Sequence, residues 1–399
     1  MTSPTLDEVE VMTDLASVTY GARVLFATDE WFAPASRLLL LEPPIFITDK
    51  FTSFGKWMDG WESRRKRTPG HDWCVLALGM RGAVDVVDVD TAFFTGNHPP
   101  RISIQAADFT QGCDHGAETA LRTLTAKTTR DRAMGVSTTH EELKLVEQLK
   151  SFEWTEIVPP TNLRAGYVET RHNLLQVTLS KRGPWTHIRL NMFPDGGIAR
   201  LRVFGEVVID WKHIQVSEML DLVSIAHGGK VVGYSDAHYG HPRNLMAPGR
   251  SKTMAGGWET ARKVTRPAIL KADLNSGLLN VPGKDWVVLK LGHLGIIRQV
   301  EVDTNHFKGN FPESCMMYGT RYYSDNAEDN LLKDRAIKWK IVLPRVKLKA
   351  HTQHYFSVAE GDVNLIPAGV NYVRLEMFPD GGISRLRLIG NKKDVAAHL

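Results

Sequence analysis

Hydrophobic and polar residues alternate along many short stretches of the chain, a pattern typical of β-strands that bury one face. Residues 188–192 alternate aliphatic and polar side chains, and residues 201–203 resume the alternation after an Asp-Gly-Gly sequence at residues 195–197. We predict an antiparallel hairpin whose tight turn uses the backbone freedom of these glycines. Residues 72–79 and 84–90 predict two further short strands bounded by Gly, Pro and Asp.

Two other stretches have the spacing of amphipathic helices. Residues 139–142 match a capping box, and they open an amphipathic run with apolar residues at Leu143, Val146 and Leu149. Residues 329–339 predict a counterpart in the second half of the chain. Residues 112–137 are polar and rich in threonine, and for them we predict an exposed loop.

The chain contains two near copies of one segment. Residues 187–198 and 372–383 share the sequence Met-Phe-Pro-Asp-Gly-Gly-Ile, and further matches extend through both halves. Such a duplication predicts two domains of the same fold. The predicted divisions are repeat 1 at residues 12–208, repeat 2 at residues 209–390 and a C-terminal tail at residues 391–399.

The strand pattern and the duplication together predict an all-β protein. We expect each repeat to be an antiparallel β-sandwich of the jelly-roll kind with a few short helices. The composition is that of a globular protein, with 43% hydrophobic residues, 24% charged residues and a net charge of +4 over 399 residues. The chain shows neither a long apolar run nor a signal-peptide core near Met1. We therefore expect no membrane partner.

Charge and cysteine content narrow the range of partners. The densest basic cluster, residues 64–67, lies beside tryptophans and a glutamate, which favours a small anion over nucleic acid. We expect a small-molecule substrate and no nucleic-acid partner. Cys74, Cys113 and Cys315 are odd in number and stand where small apolar residues are interchangeable, which indicates a reducing compartment.

One candidate cluster joins a flat aromatic surface, a carboxylate and two guanidinium groups within five residues. Its members in repeat 1 are Trp61, Glu62, Arg64 and Arg65, and those kept in repeat 2 are Trp258, Glu259 and Arg262. Arginine binds carboxylates through two parallel hydrogen bonds, and a tryptophan wall lowers the local dielectric constant. The alternative interpretation is a Glu-Arg ion pair that shields a tryptophan of the core.

A second candidate cluster follows a predicted strand in each repeat. Its members are Asp90 and Asn97 in repeat 1, and Asp303, His306, Lys308 and Asn310 in repeat 2. These side chains can donate and accept hydrogen bonds around a urea-like group. The alternative is a turn held by Asx side chains, which we favour for the two asparagines. Asp29 and its counterpart Asp236 form a third pair, for which turn formation is the alternative.

The repeated motifs resemble those of the allantoicase family. They are residues 60–65, the strand that begins His71-Asp72-Trp73, residues 90–97 and residues 189–198. The resemblance covers essentially the whole chain in the family's two-repeat layout. It implies two jelly-roll domains and hydrolysis of allantoate to ureidoglycolate and urea, a step in purine breakdown.

Repeat 2 departs from repeat 1 at three positions near these motifs. Gly256 replaces Asp59, Ala261 replaces Arg64 and Lys284 replaces His71. The two copies therefore need not do the same work.

The implied reaction expels urea from a carbon that carries two ureido groups and a carboxylate. It requires a proton for the leaving nitrogen and a base that removes a proton from the retained ureido nitrogen or from water, without a covalent nucleophile. The catalytic candidates are Asp29, Glu62, His71 and Asp90 in repeat 1, and Glu259, Asp303 and His306 in repeat 2. The substrate-binding candidates are Trp61, Arg64, Arg65, Asn97, Trp258, Arg262 and Lys308.

The sequence leaves other properties open. No cofactor is certain, and a divalent metal ion stays open because carboxylates and histidines occur without a compact ligand spacing. Two other functions are compatible with the fold: a β-sandwich that binds a carbohydrate or another small ligand, and an allantoicase relative that has lost activity. We expect a homo-oligomer. The C-terminal Ala397-His398-Leu399 matches the small-basic-leucine pattern of a peroxisomal signal, so we expect a peroxisomal or cytoplasmic location.

Overall fold

The computed structural model describes residues 4–6, 9, 12–110, 115–127, 134–265, 267, 269–324 and 327–394. The chain divides into two compact units, residues 1–208 and 209–399. Both units consist mainly of antiparallel strands, and their strands follow the same order, which confirms the all-β prediction and the duplication. The finer assignment to the jelly-roll kind stays a prediction.

The strands of the first unit are Thr13–Asp14, Arg23–Ala27, Asp29–Glu30, Phe51–Thr52, Gly55–Lys56, Trp61–Glu62, Asp72–Asp90, Arg101–Ala107, Val136–Ser137, Thr155–Asn162, His172–Gln176, Trp185–Phe193, Gly197–Ile198 and Arg200–Val207. Those of the second unit are Leu220–Asp221, Lys230–Tyr234, Trp258–Glu259, Asp285–Asp303, Ser314–Thr320, Lys340–Lys347, Gln353–Ser357, Val370–Phe378, Gly382–Ile383 and Arg385–Lys392. Short 3-10 helices connect several of them, at Val18–Tyr20, Ala35–Leu39, Ser151–Glu153, Leu179–Lys181, Ile225–His227, Pro242–Met246 and Met254–Gly256.

One long strand, Asp72–Asp90, organises the first unit. Its first half pairs with Arg23–Ala27 and Trp185–Phe193, and its second half pairs with His172–Gln176 and Arg200–Val207. The two short strands predicted within this region are therefore one continuous strand. In the second unit the strand Asp285–Asp303 makes the corresponding four pairings.

The long strand bends back on itself. The Asp72 N–H donates to the Pro194 carbonyl oxygen at 2.9 Å, and the Asp90 carbonyl oxygen accepts from the Ala199 N–H at 2.8 Å. Five residues of chain span at most about 18 Å, whereas a straight strand of this length would span about 60 Å. The two ends of the strand therefore lie at the same end of the unit.

The predicted hairpin between residues 188–192 and 201–203 is wrong. Both stretches are strands, but each pairs with the long strand rather than with the other. The segment that joins them includes the turn at residues 193–197, in which Gly196 has a φ of 146°. Alternation of polar and apolar residues reports which face of a strand is buried, but it does not report which strand lies alongside.

The helix predictions had mixed outcomes. The capping box is confirmed, since Thr139 accepts from the Glu142 N–H at the start of the helix His140–Glu147. The loop predicted at residues 112–137 is wrong in its middle, where the helix His115–Lys127 buries Ala117, Ala120 and Leu124 in the core. Residues 112–114 and 128–133 lie outside the described residues. In repeat 2 the predicted helix is shorter and begins earlier, at Ala327–Leu331.

Two other predictions concern the membrane and the chain end. Among the described residues, no helix is both long enough and apolar enough to span a membrane. Residues 395–399, which include the predicted peroxisomal signal, lie outside the described residues, as does Cys113. Cys74 and Cys315 are buried, in keeping with their interpretation as small apolar core residues.

Candidate active site

The candidate residues of repeat 1 surround the turn at residues 193–197. The Gly197 N–H donates to the Asn97 carbonyl oxygen at 2.8 Å, and the Ser63 N–H donates to the Gly196 carbonyl oxygen at 3.1 Å. The Lys66 N–H donates to Asp195 Oδ2 at 2.8 Å. The turn therefore brings three separate segments together at one end of the unit. One segment carries the first cluster, one carries the second cluster, and the third is the start of the long strand.

Glu62 and Asn97 form a hydrogen-bonded pair beside this turn. Asn97 Nδ2 donates to Glu62 Oε1 at 2.7 Å. Burial raises the pKa of Glu62, and the hydrogen bond from Asn97 opposes part of that rise. A carboxyl group with a raised pKa is suited to deliver a proton. In repeat 2 the side chain of Asn310 donates to Glu259 in the same way.

The two guanidinium groups of the cluster have different environments. The Arg65 side chain is 67% exposed, and its Nη1 lies 3.6 Å from Asp195 Oδ1, which is beyond a normal hydrogen bond. Arg65 is therefore available to bind a carboxylate. Arg64 is engaged within the protein, since its Nε and Nη2 lie 2.8 and 2.7 Å from Asp29 Oδ2 and its guanidinium covers the Trp31 ring.

Asp29 serves the local fold. Its side chain is buried, and Oδ1 accepts from the backbone N–H groups of Trp31 and Arg64 at 3.1 and 3.0 Å. In repeat 2 the Ala261 N–H donates to Asp236 Oδ2 at 2.6 Å, so the backbone contact persists without the arginine side chain. These contacts support the turn-forming alternative and leave Asp29 and Arg64 little capacity for a substrate.

Trp61 and Trp258 belong to the core. Both are 0% exposed, and their indole N–H groups donate to the carbonyl oxygens of Asp29 and Asp236, each at 2.8 Å. Neither ring presents surface to a ligand, so the core-packing alternative is the better account of both. Their contribution is to fix the backbone from which Glu62 and Glu259 extend.

Asp90 and Asp303 are also held by protein groups. Asp90 Oδ1 accepts from the Ala92 N–H at 2.8 Å, and Oδ2 accepts from Arg171 at 2.6 Å. Burial raises the pKa of Asp90. Asp303 Oδ2 accepts from Arg250 at 2.9 Å. Both carboxylates are buried and engaged by protein groups, which favours a role in shaping the site over contact with a substrate.

The remaining candidates of repeat 2 divide in the same manner. His306 Nε2 lies 2.9 Å from the Ser251 carbonyl oxygen, and the His306 N–H donates to His351 Nδ1 at 2.8 Å. His306 therefore stabilises its own turn. Lys308 is exposed to solvent.

A cavity of about 410 Å³ lies at the matching end of the second unit. Its walls include the Glu259–Asn310 pair and Arg262, whose side chain is exposed. The volume is within the usual range for small-molecule sites. Repeat 2 thus keeps the carboxyl, amide and guanidinium groups of the site.

His71 distinguishes the two repeats. Its Nε2 lies 3.0 Å from Asn191 Oδ1, and its ring packs on Phe193 with centroids 4.5 Å apart. Burial lowers the pKa of His71, so the neutral imidazole is favoured. In repeat 2 the corresponding residues are Lys284 and Glu376, which form an ion pair.

Sequence reasoning missed two side chains of this site. Asp195 was interpreted only as a turn residue, although its carboxylate faces both Arg65 and the Lys66 backbone. Asn191 was interpreted only as a polar position in an alternating strand. The signal for Asn191 was the paired change of two residues between the repeats, from His71 and Asn191 to Lys284 and Glu376.

One departure between the repeats is structural. Asp59 Oδ2 accepts from Arg200 Nη2 at 2.8 Å and from the Ile45 N–H at 3.0 Å, so it anchors the loop that precedes it. Arg200 Nη1 also donates to the Asp59 carbonyl oxygen at 3.0 Å, and in repeat 2 the matching Arg385 keeps this backbone contact, to the Gly256 carbonyl oxygen at 2.6 Å. The change from Asp59 to Gly256 therefore does not alter the site itself.

Among the described residues, no group of three or more His, Cys, Asp or Glu side chains is arranged to hold a metal ion.

The sequence and the fold match one family of proteins. The model of the allantoicase repeat matches residues 13–208 and 220–393. The chain belongs to the allantoicase family.

Relatives of nearly equal length are known in bacteria. A probable allantoicase of Pseudomonas aeruginosa is 38% identical over 378 residues, which cover 95% of each chain. A probable allantoicase of Photobacterium profundum is 38% identical and covers 96% of this chain and 98% of its own. The crystal structure of allantoicase from Saccharomyces cerevisiae is 28% identical, with a TM-score of 0.66, and covers 98% of this chain and 99% of its own.

Proposed function

We propose that the protein hydrolyses allantoate to ureidoglycolate and urea. The observation that carries the proposal is the arrangement of Glu62, Asn97 and Arg65 around one turn: this turn is contacted both by a carboxyl group with a raised pKa and by an exposed guanidinium. Allantoate presents a carboxylate and a poor leaving group that needs a proton. The names of the full-length relatives support the same substrate.

The roles follow from the chemistry of each group. Arg65 binds the substrate carboxylate. The carbon that carries the two ureido groups is saturated, so its C–N bond breaks as the new C–O bond forms. Water attacks this carbon and gives one proton to His71, while the electron pair of the C–N bond moves to the urea nitrogen, which receives the proton of Glu62. Exchange with solvent afterwards removes the proton from His71 and returns one to Glu62.

The chemistry is assigned to repeat 1. A neutral imidazole accepts a proton, whereas the ammonium group of Lys284 does not. Repeat 2 keeps the groups that would bind a ureide, Glu259, Asn310 and Arg262, and lacks this base.

Urea release separates the proposal from its alternatives. Purified protein is incubated with allantoate, allantoin or ureidoglycolate, and urea is measured. Rapid release from allantoate alone is expected. Binding of allantoate without release of urea would indicate a relative that has lost activity, and release from ureidoglycolate alone would indicate a different ureide as substrate.

Assembly and location are part of the same proposal. We expect a homo-oligomer, which light scattering on a size-exclusion column would measure. The peroxisomal pattern at Ala397-His398-Leu399 is tested by an N-terminal fluorescent tag on the full chain and on a chain that ends at residue 396. A diffuse signal from both forms would place the protein in the cytoplasm.

A further inference from the structure

We infer that Asn191 is a positioning residue that holds the proton of neutral His71 on Nε2 and leaves Nδ1 as the proton acceptor. The catalytic part of this inference rests on the proposed function, whereas the position of the proton does not.

Asn191 is 2% exposed, and its hydrogen-bond partners fix the orientation of its side-chain amide. On one side, Asn191 Nδ2 faces three oxygens: the Ser103 carbonyl at 3.3 Å, Ser103 Oγ at 3.1 Å and Gln105 Oε1 at 2.7 Å. A carbonyl oxygen only accepts hydrogen bonds, so this side requires the NH₂ group.

The other side of the amide gives the same answer independently. Arg189 Nε lies 2.8 Å from Asn191 Oδ1, and a guanidinium only donates. Arg189 cannot readily turn away, because its Nη1 donates to Ser151 Oγ at 2.9 Å and its guanidinium lies 3.8 Å from the centroid of the Trp73 ring. Oδ1 is therefore fixed on the side of Arg189.

The tautomer of His71 follows from this orientation. Its Nε2 lies 3.0 Å from Asn191 Oδ1, an oxygen that only accepts, so Nε2 must carry the hydrogen. A neutral imidazole has one N–H, so Nδ1 keeps its lone pair. Nδ1 has no hydrogen-bond partner within the part of the chain that the structure describes.

The surrounding charges favour the neutral ring. Burial is the largest cause of the lowered pKa of His71, and the positive charges of Arg189 and Lys66 act in the same direction. The hydrogen bond to Asn191 and the negative charge of Asp72 raise the pKa but do not cancel the lowering. Asp72 Oδ1 is itself engaged by Lys66 Nζ at 2.8 Å and Thr28 Oγ1 at 2.7 Å.

Repeat 2 keeps the arginine and the tryptophan of this arrangement and replaces both His71 and Asn191. Arg374 takes the place of Arg189, with its guanidinium 5.2 Å from the centroid of the Trp286 ring and its Nε 3.0 Å from Glu376 Oε1. At this position Glu376 forms an ion pair with Lys284. The substitution of both members together is expected if Asn191 and His71 act as one unit.

The proton is observed directly by nitrogen NMR of the full chain with ¹⁵N-labelled histidine. The His71→Gln spectrum identifies the His71 signals. In the wild type we expect a protonated Nε2 and an unprotonated Nδ1. In Asn191→Leu we expect a mixture of tautomers and a fall in kcat of about 10²-fold or more with little change in KM, as for other bases in the wrong tautomer.

Two further variants keep the test decisive. Asn191→Asp retains an oxygen for His71 even if Asn191→Leu does not fold, and its negative charge should move the acid limb of the kcat/KM profile to higher pH. Glu376→Gln, the matched change in repeat 2, should leave the His71 signals as they are.

Three results would overturn the inference: a wild-type His71 with its proton on Nδ1, an unchanged tautomer in a folded Asn191→Leu, or full turnover by His71→Gln. Protonated Nε2 in a protein that releases no urea from allantoate would instead support the positioning role of Asn191 and reject the proposed function.

Discussion

Lys284 Nζ lies 2.7 Å from both carboxylate oxygens of Glu376, at the place where repeat 1 has a histidine and an asparagine. The same position of the duplicated fold therefore holds a histidine–asparagine pair in repeat 1 and a lysine–glutamate pair in repeat 2. The pair in repeat 1 contains an imidazole, which can accept a proton, whereas the pair in repeat 2 is an ion pair.

The first prediction concerns this asymmetry. Glu62→Gln should lower kcat by about 10²- to 10⁴-fold because it removes the proton donor, whereas Glu259→Gln should leave much of the turnover. Initial rates of urea release, with circular dichroism spectra to verify folding, are the measurement. Equal losses in both variants would mean that both repeats carry out the reaction.

The second prediction separates the two neighbouring arginines. Arg65→Ala should raise KM about tenfold, since an exposed guanidinium that binds a carboxylate contributes on the order of 1.4 kcal/mol. Arg64→Ala should mainly lower thermal stability, because it leaves Asp29 without its ionic partner. An unchanged KM in a folded Arg65→Ala would remove Arg65 from the site.

The third prediction concerns stability and pH. The hydrogen bond to Asp88 raises the pKa of His172, whose Nδ1 lies 2.7 Å from Asp88 Oδ2. The folded protein therefore binds this proton more tightly than the unfolded chain does. The resulting stabilisation is fully present below about pH 6.5 and is lost as the pH rises through the higher pKa of the folded state.

The measurement is urea unfolding of the wild type and of His172→Gln at several pH values, from below about pH 6.5 to above the raised pKa of His172. The difference between their free energies of unfolding should shrink as the pH rises. A difference that is constant with pH would mean that the ion pair adds no pH-dependent stability. Repeat 2 has an ion pair between Arg250 and Glu301 instead.

The fourth prediction concerns the loop before Trp61. The ion pair between Arg200 and Asp59 is almost fully buried, with side chains 3% and 8% exposed. Asp59→Asn leaves the charge of Arg200 without compensation, which typically costs about 3–5 kcal/mol. The unfolding transition of the first unit should shift to lower urea concentration, while that of the second unit stays in place. A shift of both transitions would point to coupled unfolding.

The duplication and the strands could be predicted because the first is a direct match between two segments and the second is an alternation of neighbouring residues. Sequence reasoning also found the capping box at Thr139, where a side chain bonds to backbone three residues away. It missed the helix His115–Lys127 because the apolar face of this helix consists of two alanines and one leucine, Ala117, Ala120 and Leu124, which give a weak helical pattern among threonines. Their burial depends on strands distant in the sequence.

The site was predicted as a set of residue types and was refined by their partners. Glu62 and Asn97 are 35 positions apart and meet through the fold. Asp90 and Arg64 have the expected chemistry, yet Arg171 and Asp29 occupy them. Which charged groups remain free is a property of packing between distant segments, and the sequence alone does not express it.

The bend of the long strand links the site to the far end of the unit. A Cβ atom on Gly82 would lie 2.6 Å from the Leu15 side chain and 2.7 Å from the Glu206 carbonyl oxygen, so a larger residue would push the bend open. The pairing of this strand with Trp185–Phe193 is interrupted between Ala77 and Gly82, which is where we place the hinge of the bend. The two tips of the strand are its ends, one following His71 and the other at Asp90. Substitutions at the hinge, about 30 Å along the strand from either tip, would then change the spacing of the tips without touching the site.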